Sequence, residues 1–257
     1  MYTEIEVNGF KCEAFFSEKE INSIYIPLLK KLKNLRDKKE KRIIIFLAAP
    51  PATGKSTLAL FLEKLFKEMY DLISFQTLSL DGFHYNNNYL YNHKIVIEGI
   101  EHSLHDIKGM PETFDLEKFK KCLQDIQYKN IKWPIYDRNI HEPVIDKLEV
   151  TADIILIEGN WLLLDQDKWR ELKSFCDYSI FIEAEENLLK NRLIERKIKG
   201  GLTQYEALEF YERTDKKNVI RVMKNRLAAD LTLEMLESGE KRLKICKEHP
   251  LVNKEHR

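Results

Sequence analysis

This sequence has no excess of charge of either sign. Its 257 residues include 42 Lys and Arg and 42 Asp and Glu, so the formal net charge is zero. A protein that binds nucleic acid by neutralising phosphates normally has a basic surplus, and a charged disordered tail would unbalance the count. The sequence therefore argues against both classes, and we expect no nucleic-acid partner.

Long apolar runs and paired cysteines are also missing. The longest apolar run, Ile43 to Ala52, contains two prolines and has about half the length that a membrane-spanning helix needs. The N-terminus shows no basic stretch followed by an apolar stretch, so no signal peptide can be read. The four cysteines form no Cys-x-x-Cys pair, which is typical of reduced thiols. We expect a cytoplasmic protein without a membrane partner, in which oxygen atoms would bind any metal ion.

What the sequence does contain is enough apolar material for a core, since 44% of its residues are hydrophobic. We expect a single domain over residues 1–257. Its first part, residues 1–41, predicts a β-hairpin and then a helix, in which Pro27 should cause a kink. The motifs behind this prediction are the alternating segments Thr3–Val7 and Phe10–Phe16, the turn Asn8-Gly9 and the capping box of Ser17 and Glu20.

From residue 42 to residue 257 apolar strands alternate with amphipathic helices. The predicted strands are Arg42–Ala49, Ile73–Leu80, Asp153–Ile157, Tyr178–Ile182 and Leu231–Leu233. The first of them leads into a predicted helix over Thr57–Leu72, whose apolar face extends to Leu72. This alternation predicts an α/β fold with a doubly wound parallel sheet and helices on both faces. Ligands of such sheets bind at the carboxyl ends of the strands, so the chemistry should follow each strand.

A phosphate loop follows the first of these strands. The run Ala49-Pro50-Pro51-Ala52-Thr53-Gly54-Lys55-Ser56-Thr57 nearly matches Gly-x-x-x-x-Gly-Lys-Ser/Thr, with Ala49 in place of the first glycine. Backbone N–H groups of such a loop surround phosphate oxygens, the lysine reaches the β- and γ-phosphates, and the hydroxyl binds Mg²⁺. The alternative is a chance Gly-Lys-Ser at a helix start. We predict an ATP site formed by Pro51, Ala52, Thr53, Gly54, Lys55, Ser56 and Thr57.

Carboxylates end two further strands. Asp81, in Asp81-Gly82-Phe83-His84, could accept the proton of an attacking hydroxyl group beside the γ-phosphate. Glu158, in Glu158-Gly159-Asn160-Trp161, could bind Mg²⁺ together with Ser56. Each motif taken alone is also compatible with an ordinary turn at a strand end. Two such carboxylates beside a phosphate loop favour a site of phosphoryl transfer.

These residues resemble the phosphoribulokinase, uridine kinase and bacterial pantothenate kinase superfamily of P-loop kinases, from about Arg42 to Leu233. The narrower likeness is to a nucleoside/nucleotide kinase-like, or fructose-transport-associated, branch. The segments that carry it are the phosphate loop, Asp81-Gly82-Phe83, Lys108 to Asp115, Pro134 to Asp137, Val7 to Gly9, Glu158 to Trp161 and Gly200 to Asn218. The resemblance implies a P-loop NTPase-type fold with a helical lid, Asp81 as catalytic base, and Ser56 with Glu158 on Mg²⁺.

The resemblance also suggests residues that bind the phosphate acceptor. It implies that Tyr136 and His141 face the substrate. This sequence departs from the pantothenate kinases at Arg138, where those enzymes have a His. His84 follows the proposed base by three residues and is a further candidate, although a lone loop histidine is more often structural. Arg138 and His141 lie in a stretch, Pro134 to Pro143, that we expect to be irregular, and binding residues concentrate in such loops.

A helix after the strand Tyr178–Ile182 has Arg192 and Arg196 on one face. Cations that close over the phosphates stabilise the charge of the transition state, so we predict a lid over about residues 186–204 with both arginines catalytic beside Lys55. A solvated basic helix face is the alternative, because three lysines are near. Arg213, Asp215 and Asn218 lie on a further predicted helix, where a nucleotide-side or structural role is expected.

The sequence therefore predicts a Mg²⁺- and ATP-dependent phosphotransferase with an alcohol group as acceptor. Its substrate would be a small hydroxylated metabolite: a sugar, a nucleoside or a pantothenate-like compound. The alternative is a P-loop ATPase or regulator without a small-molecule acceptor. The identity of the acceptor and the oligomeric state, a homodimer included, are left open.

Overall fold

A computed structural model describes residues 1–7, 10–97 and 99–244 of the chain. Its centre is a six-stranded sheet. The strands are β3 (Ile43–Ala48), β4 (Phe75–Ser79), β9 (Ile154–Gly159), β10 (Tyr178–Ala184), β11 (Leu231–Met235) and β12 (Lys241–Leu243). Their order in the sheet is β12-β11-β10-β3-β9-β4. All neighbouring strands are parallel except β12, which pairs antiparallel with β11 and was not predicted. The predicted α/β fold with a mostly parallel sheet is confirmed.

Both faces of the sheet are covered, as the continuous apolar run of β3 requires. Alternate side chains of this strand enter two different cores: Ile43, Ile45 and Leu47 on one face, and Ile44, Phe46 and Ala48 on the other. The first core contains α3 (Lys55–Met69), and the second contains α5 (Leu116–Ile126). The predicted extension of α3 to Leu72 is wrong, because the chain becomes extended at Tyr70 and Leu72 is 97% exposed.

The N-terminal segment packs on the α3 side. It comprises β1 (Tyr2–Val7), β2 (Phe10–Phe15), α1 (Glu18–Glu20), a π-helical turn (Ile21–Tyr25) and α2 (Ile26–Lys39). The two strands pair antiparallel, while the predicted turn Asn8-Gly9 lies outside the described residues. Ser17 and Glu20 form the predicted capping box. Pro27 is the second residue of α2 and directly follows the π-helical turn, so the regular helical pattern is interrupted next to the proline.

Two hairpins between β4 and β9 were not predicted. The first is β5 (Lys94–Ile97) with β6 (Ile100–Ser103), preceded by α4 (Asn87–Asn92), and the second is β7 (Ile131–Asp137) with β8 (Glu142–Val150). The expectation of an irregular stretch from Pro134 to Pro143 is therefore wrong. Pro134 lies at a register shift between Trp133 and Ile135, a position at which a strand tolerates proline.

The predicted lid region contains α6 (Glu186–Lys199), which Gly201, at a φ of 102°, separates from α7 (Gln204–Phe210). A π-helical turn (Tyr211–Asp215) then joins α7 to α8 (Lys216–Lys224). Across residues 1–7, 10–97 and 99–244, no helix has both the length and the apolar character that crossing a bilayer requires.

Candidate active site

The phosphate loop lies between the carboxyl end of β3 and the first residue of α3. Ala52 and Gly54 have left-handed backbones, with φ of 68° and 77°, and a Cβ on Gly54 would meet no atom within 4 Å. Thr53 is fully buried and its Oγ1 donates to the carbonyl of Pro50 at 3.0 Å. Ala49 is outside the left-handed region, so the alanine in place of glycine adds no strain. The loop is therefore held in a fixed turn with open space beside Gly54.

Lys55 and Ser56, which begin α3 after β3, contact Glu158 at the end of β9, because β3 and β9 are neighbouring strands. Ser56 Oγ donates to Glu158 Oε1 at 3.0 Å, and Lys55 Nζ lies 3.8 Å from Glu158 Oε2. Burial raises the pKa of Glu158 above its usual value; the Lys55 charge lowers it, and the Asp81 charge raises it. The two predicted Mg²⁺ ligands, Ser56 and Glu158, are thus in contact, and the Asp81 carboxylate is near enough to raise the pKa of Glu158.

Whether these oxygens fit a metal ion follows from their chemistry. Mg²⁺ uses one or two carboxylates with hydroxyls, phosphate oxygens and waters, and Ser56 with Glu158 supplies such a partial set. No group of three or more His, Cys, Asp or Glu side chains in the part of the chain that the structure describes could hold a metal ion by itself. The donor set therefore fits an ion whose remaining ligands come from a nucleotide and water.

Asp81 lies in a 3-10 turn (Leu80–Phe83) that directly follows β4. Its N–H donates to Ser79 Oγ at 3.2 Å. Gly82 allows β7 to approach, since a Cβ there would lie 2.1 Å from the carbonyl oxygen of Pro134. With Ser56 and Glu158, Asp81 lines a cavity of about 360 Å³ under the β7–β8 hairpin. The candidate base, the candidate metal ligands and the start of α3 therefore share one cavity.

The acceptor-side candidates are divided by the structure. His84 Nδ1 lies 2.9 Å from the Asp81 carbonyl oxygen, and its ring lies 5.3 Å from that of Tyr136. Arg138 and Tyr136 line the cavity beside Asp81. His141, in contrast, is exposed in the hairpin turn, and its backbone carbonyl accepts a hydrogen bond from Lys108 at 2.8 Å. The structure brings three of the four candidates to Asp81 and leaves the His141 side chain outside the cavity lining.

Burial shifts the pKa values of two of these groups, His84 and Tyr136. Desolvation lowers the pKa of His84; Asp81 opposes this effect, and Lys108 adds to it. Desolvation raises the pKa of Tyr136 to about 12, and the Asp81 charge acts in the same direction. His84 is therefore neutral at neutral pH, and Tyr136 keeps its proton.

The two arginines of α6 extend to different places. Desolvation lowers the pKa of Arg196. The Asp215 charge raises this pKa, the Arg138 charge lowers it, and the Asp81 charge raises it. The guanidinium of Arg196 therefore interacts with charged groups of the site. Arg192 Nη1 instead contacts Met235 Sδ at 2.8 Å, at the end of β11. Of the two, Arg196 is the one on which the Asp81 charge acts.

Lys108 was not among the predicted site residues. Its Nζ donates to Asn87 Oδ1 at 2.7 Å and lies 5.3 Å from the centre of the Tyr136 ring. Desolvation lowers the pKa of this lysine, and Glu142 raises it. The sequence signal was present, because Lys108 opens the Lys-Gly-Met-Pro-Glu-Thr segment that carries part of the family resemblance.

Comparisons with known proteins show what this chain is similar to. The chain is 47% identical over 240 residues to the uncharacterized protein YggC of Escherichia coli, across 93% of this chain and 98% of that protein. It is 28% identical over 216 residues to pantothenate kinase of Enterococcus faecalis, across 76% of this chain and 67% of that protein. A crystal structure of a "putative fructose transport system kinase" from Silicibacter sp. TM1040 matches with a TM-score of 0.73 and 29% identity, over 81% of this chain and 98% of that chain.

A sequence profile gives the family directly. The profile described as the Phosphoribulokinase / Uridine kinase family matches residues 44–237, which include the phosphate loop, Asp81, Glu158 and α6. The matched region also covers β4, β9, β10, β11 and all of β3 except Ile43. From this match and the relatives above, we conclude that the chain belongs to the phosphoribulokinase / uridine kinase family.

Proposed function

We propose that this protein is a cytoplasmic, ATP- and Mg²⁺-dependent kinase that transfers the γ-phosphate of ATP to a hydroxyl group of a small metabolite. The observation that carries the proposal is the shared cavity, which Ser56, Asp81 and Glu158 line together at the carboxyl ends of neighbouring strands. A phosphoryl-transfer enzyme needs a phosphate cradle, metal ligands and a base within reach of one another. The family membership supports the same class of reaction.

Each residue has one task in this proposal. Residues Pro51 to Thr57 bind the phosphates, with Lys55 at the β- and γ-phosphates. Ser56 and Glu158 would hold Mg²⁺, which supplies neutralisation of the charge that develops on the phosphate oxygens. Asp81 accepts the proton of the acceptor hydroxyl group. The positive charge of Arg196 stabilises the negative charge of the transferring phosphoryl group in the transition state.

Arg192 is a weaker candidate for the phosphate than Arg196. Its guanidinium contacts Met235 and lies next to Gly239, since a Cβ added to this glycine would be 3.6 Å from Arg192 Nη2. We therefore assign stabilisation of the transition-state charge to Arg196 and give Arg192 no part in it.

A cavity that begins at Asp81 and extends under the β7–β8 hairpin offers room for an acceptor, so we favour a metabolite kinase over an ATPase without an acceptor.

The first prediction tests the base. Asp81→Asn should lower kcat about 100- to 10,000-fold, because the amide cannot accept the proton of the attacking hydroxyl. The affinity for an ATP analogue should change little. Turnover is measured as acceptor-stimulated ADP formation with sugars, nucleosides and pantothenate as candidate acceptors.

The matched control is Asp137→Asn, a carboxylate that lines the same cavity but accepts from the backbone N–H of Asn139 at 2.8 Å. It should lower kcat far less than Asp81→Asn. Near-normal turnover of the Asp81 variant would show that the base is another group. Steady ATP hydrolysis that no hydroxylated compound stimulates would favour the ATPase alternative.

A further inference from the structure

The cavity that contains the candidate base is not polar throughout. Besides the groups that the proposed mechanism uses, its lining includes uncharged side chains from α3, from β4 and from the β7–β8 hairpin. They include Leu60, Thr77, Trp133, Pro134, Ile135 and Leu148. The charged lining residues of the hairpin lie at its turn instead, since Asp137 ends β7 and Arg138 follows it. Leu60, Ile135 and Leu148 form what we call the apolar end of the cavity.

Two elements lead from the proposed reaction centre to the apolar end. On α3, Leu60 lies four residues after Ser56, so it shares a helix face with this predicted Mg²⁺ ligand and is about 6 Å farther along the helix axis. On β4, Thr77 lies two residues before Ser79, about 7 Å back from the carboxyl end of the strand. The two elements meet there, because Thr77 Oγ1 donates to the carbonyl oxygen of Ala59 at 3.1 Å. Leu60 and Thr77 therefore line the same part of the cavity.

The β7–β8 hairpin closes this part of the cavity with residues far from its turn. Leu148 of β8 pairs with Trp133 of β7, toward the open end of the hairpin. The carbonyl oxygen of the next residue, Glu149, accepts from Gln76 Nε2 at 2.9 Å, and Gln76 directly precedes Thr77. Leu148 is therefore held near Thr77, on the side of the cavity away from the carboxyl end of β4.

The polar atoms at the apolar end bond within the protein. The N–H of Thr77 donates to Glu63 Oε2 at 2.8 Å, and its hydroxyl group is used in the bond to α3. Trp133 Nε1 donates to the carbonyl oxygen of Ser79 at 2.9 Å, and Pro134 has no N–H. Of the lining side chains that the structure describes there, none keeps a donor for a ligand. The oxygen atom of a ligand hydroxyl group would therefore lose its hydrogen bonds with water at this end without a replacement.

We propose that the apolar end of the cavity binds an aliphatic part of the acceptor, while the reacting hydroxyl group of the same molecule lies at Asp81. This inference rests on the proposed kinase function and names the class of its substrate. Transfer of an apolar group from water to this end is favourable, and one methylene group in such a pocket changes binding about 10-fold or more. The acceptor is therefore an alcohol with an aliphatic part rather than a sugar with a hydroxyl group on every carbon.

The first experiment uses three alcohols of similar shape, in which methyl groups replace hydroxymethyl groups. Pentaerythritol has no methyl group, trimethylolethane has one and neopentyl glycol has two. Their binding to the full chain, with Mg²⁺ and the non-hydrolysable analogue AMP-PNP, is followed by NMR of the leucine methyl groups. We expect the affinity to rise about 10-fold or more from pentaerythritol to neopentyl glycol, and the methyl signals of Leu60 and Leu148 to shift.

Two results would overturn the inference. One is an affinity that stays equal or falls along the series, and the other is the absence of a shift at both leucines in a protein that binds AMP-PNP. In both cases the proposed kinase function still stands. Failure to bind AMP-PNP would instead contradict the proposed function itself.

The second experiment separates ligand binding from packing. Leu60→Asn and Leu148→Asn each place a polar side chain at the apolar end, so each should lower the ratio of the neopentyl glycol affinity to the pentaerythritol affinity about 10-fold.

The matched control is Leu35→Asn. Leu35 of α2 is half-buried and packs on the same core as Leu60, but it lies outside the cavity lining. This variant should lower Tm and leave the affinity ratio unchanged. A wild-type ratio in both cavity variants would show that Leu60 and Leu148 serve packing alone.

Discussion

At the scale of single residues, the position of Asp81 depends on small neighbours as much as on its own chemistry. Ser79 Oγ accepts from its N–H, and the adjacent Gly82 has no room for a side chain against Pro134. The resulting turn carries His84 onto the face of Phe114, with the two ring centres 3.9 Å apart. The geometry of the candidate base is therefore set by contacts with residues far away in the sequence.

The second prediction concerns His84 and pH. Its folded pKa is lowered below the unfolded value of about 6.5, mainly by desolvation, so the unfolded chain binds the proton more readily. The stability that neutral His84 provides is complete above pH 6.5 and is lost as the pH falls toward the folded pKa. Tm measured from pH 8 to pH 5 should therefore fall less steeply in His84→Gln than in the wild type.

His93→Gln serves as the control, because His93 is exposed beyond α4 and stacks on Tyr89 away from Asp81. Its pH profile should follow that of the wild type. Parallel profiles for the wild type and His84→Gln would show that proton uptake at His84 does not contribute to the pH dependence.

At the scale of elements, periodicity is reliable where one side of an element faces a core and weaker elsewhere. The apolar residues of α3 recur at helical spacing because one face packs on the sheet, and the run of β3 is apolar because both its faces are buried. The β7–β8 hairpin has half-buried positions and a proline inside its first strand, so no regular pattern marks it. Its pairing depends on residues that meet only after the chain folds back.

The third prediction concerns the packing of the N-terminal segment on α3. The ring of Phe16 stacks on Phe61 at 3.8 Å, and Tyr25 meets the same ring edge-on at 5.8 Å. Phe16→Ala should lower the free energy of unfolding by about 3–5 kcal/mol, because it leaves a cavity at this fully packed position. Denaturant unfolding followed by fluorescence measures the change.

Phe15 is the matched control, since it is the adjacent residue and is 52% exposed. Phe15→Ala should change the free energy of unfolding by about 0.5 kcal/mol or less. Equal losses for the two variants would mean that the N-terminal segment does not depend on the contact with α3.

At the scale of the whole molecule, the two ends of the described chain meet at Glu20. Its Oε1 accepts from the Tyr25 hydroxyl at 2.8 Å and from the N–H of Lys241 at 2.7 Å, while Oε2 accepts from the N–H of Ser17 at 3.0 Å. This buried carboxylate links the N-terminal segment to the first residue of β12. Arg192 of α6 approaches Gly239 in the turn before β12, so α6 lies beside the same connection.

The fourth prediction follows from this connection. Glu20→Ala should lower the free energy of unfolding by about 3 kcal/mol, because several hydrogen bonds to a charged group are lost and the Lys241 N–H is left without its acceptor. Glu18→Ala, on the exposed side of α1, should have little effect on unfolding. Similar unfolding curves for the two variants would show that the connection is not stabilising.

Much of the site was predictable because its elements are local. The phosphate loop is one continuous segment, Asp81 follows an apolar strand, and Glu158 lies at the end of another. What could not be predicted is the distinction between Arg192 and Arg196, since both share a helix face and only the packed neighbours show where each guanidinium extends. The exclusion of the His141 side chain from the cavity lining has the same cause, because a hairpin turn decides its direction.

The sequence by itself determined the class of the fold, the phosphate loop and the neutral overall charge. These follow from local periodicity, from a contiguous motif and from composition. Only the tertiary structure decided the sheet order, the two hairpins and the different surroundings of Arg192 and Arg196. Those features depend on contacts between residues distant in the chain, and the free energy of such contacts depends on burial and distance, which a linear pattern does not contain.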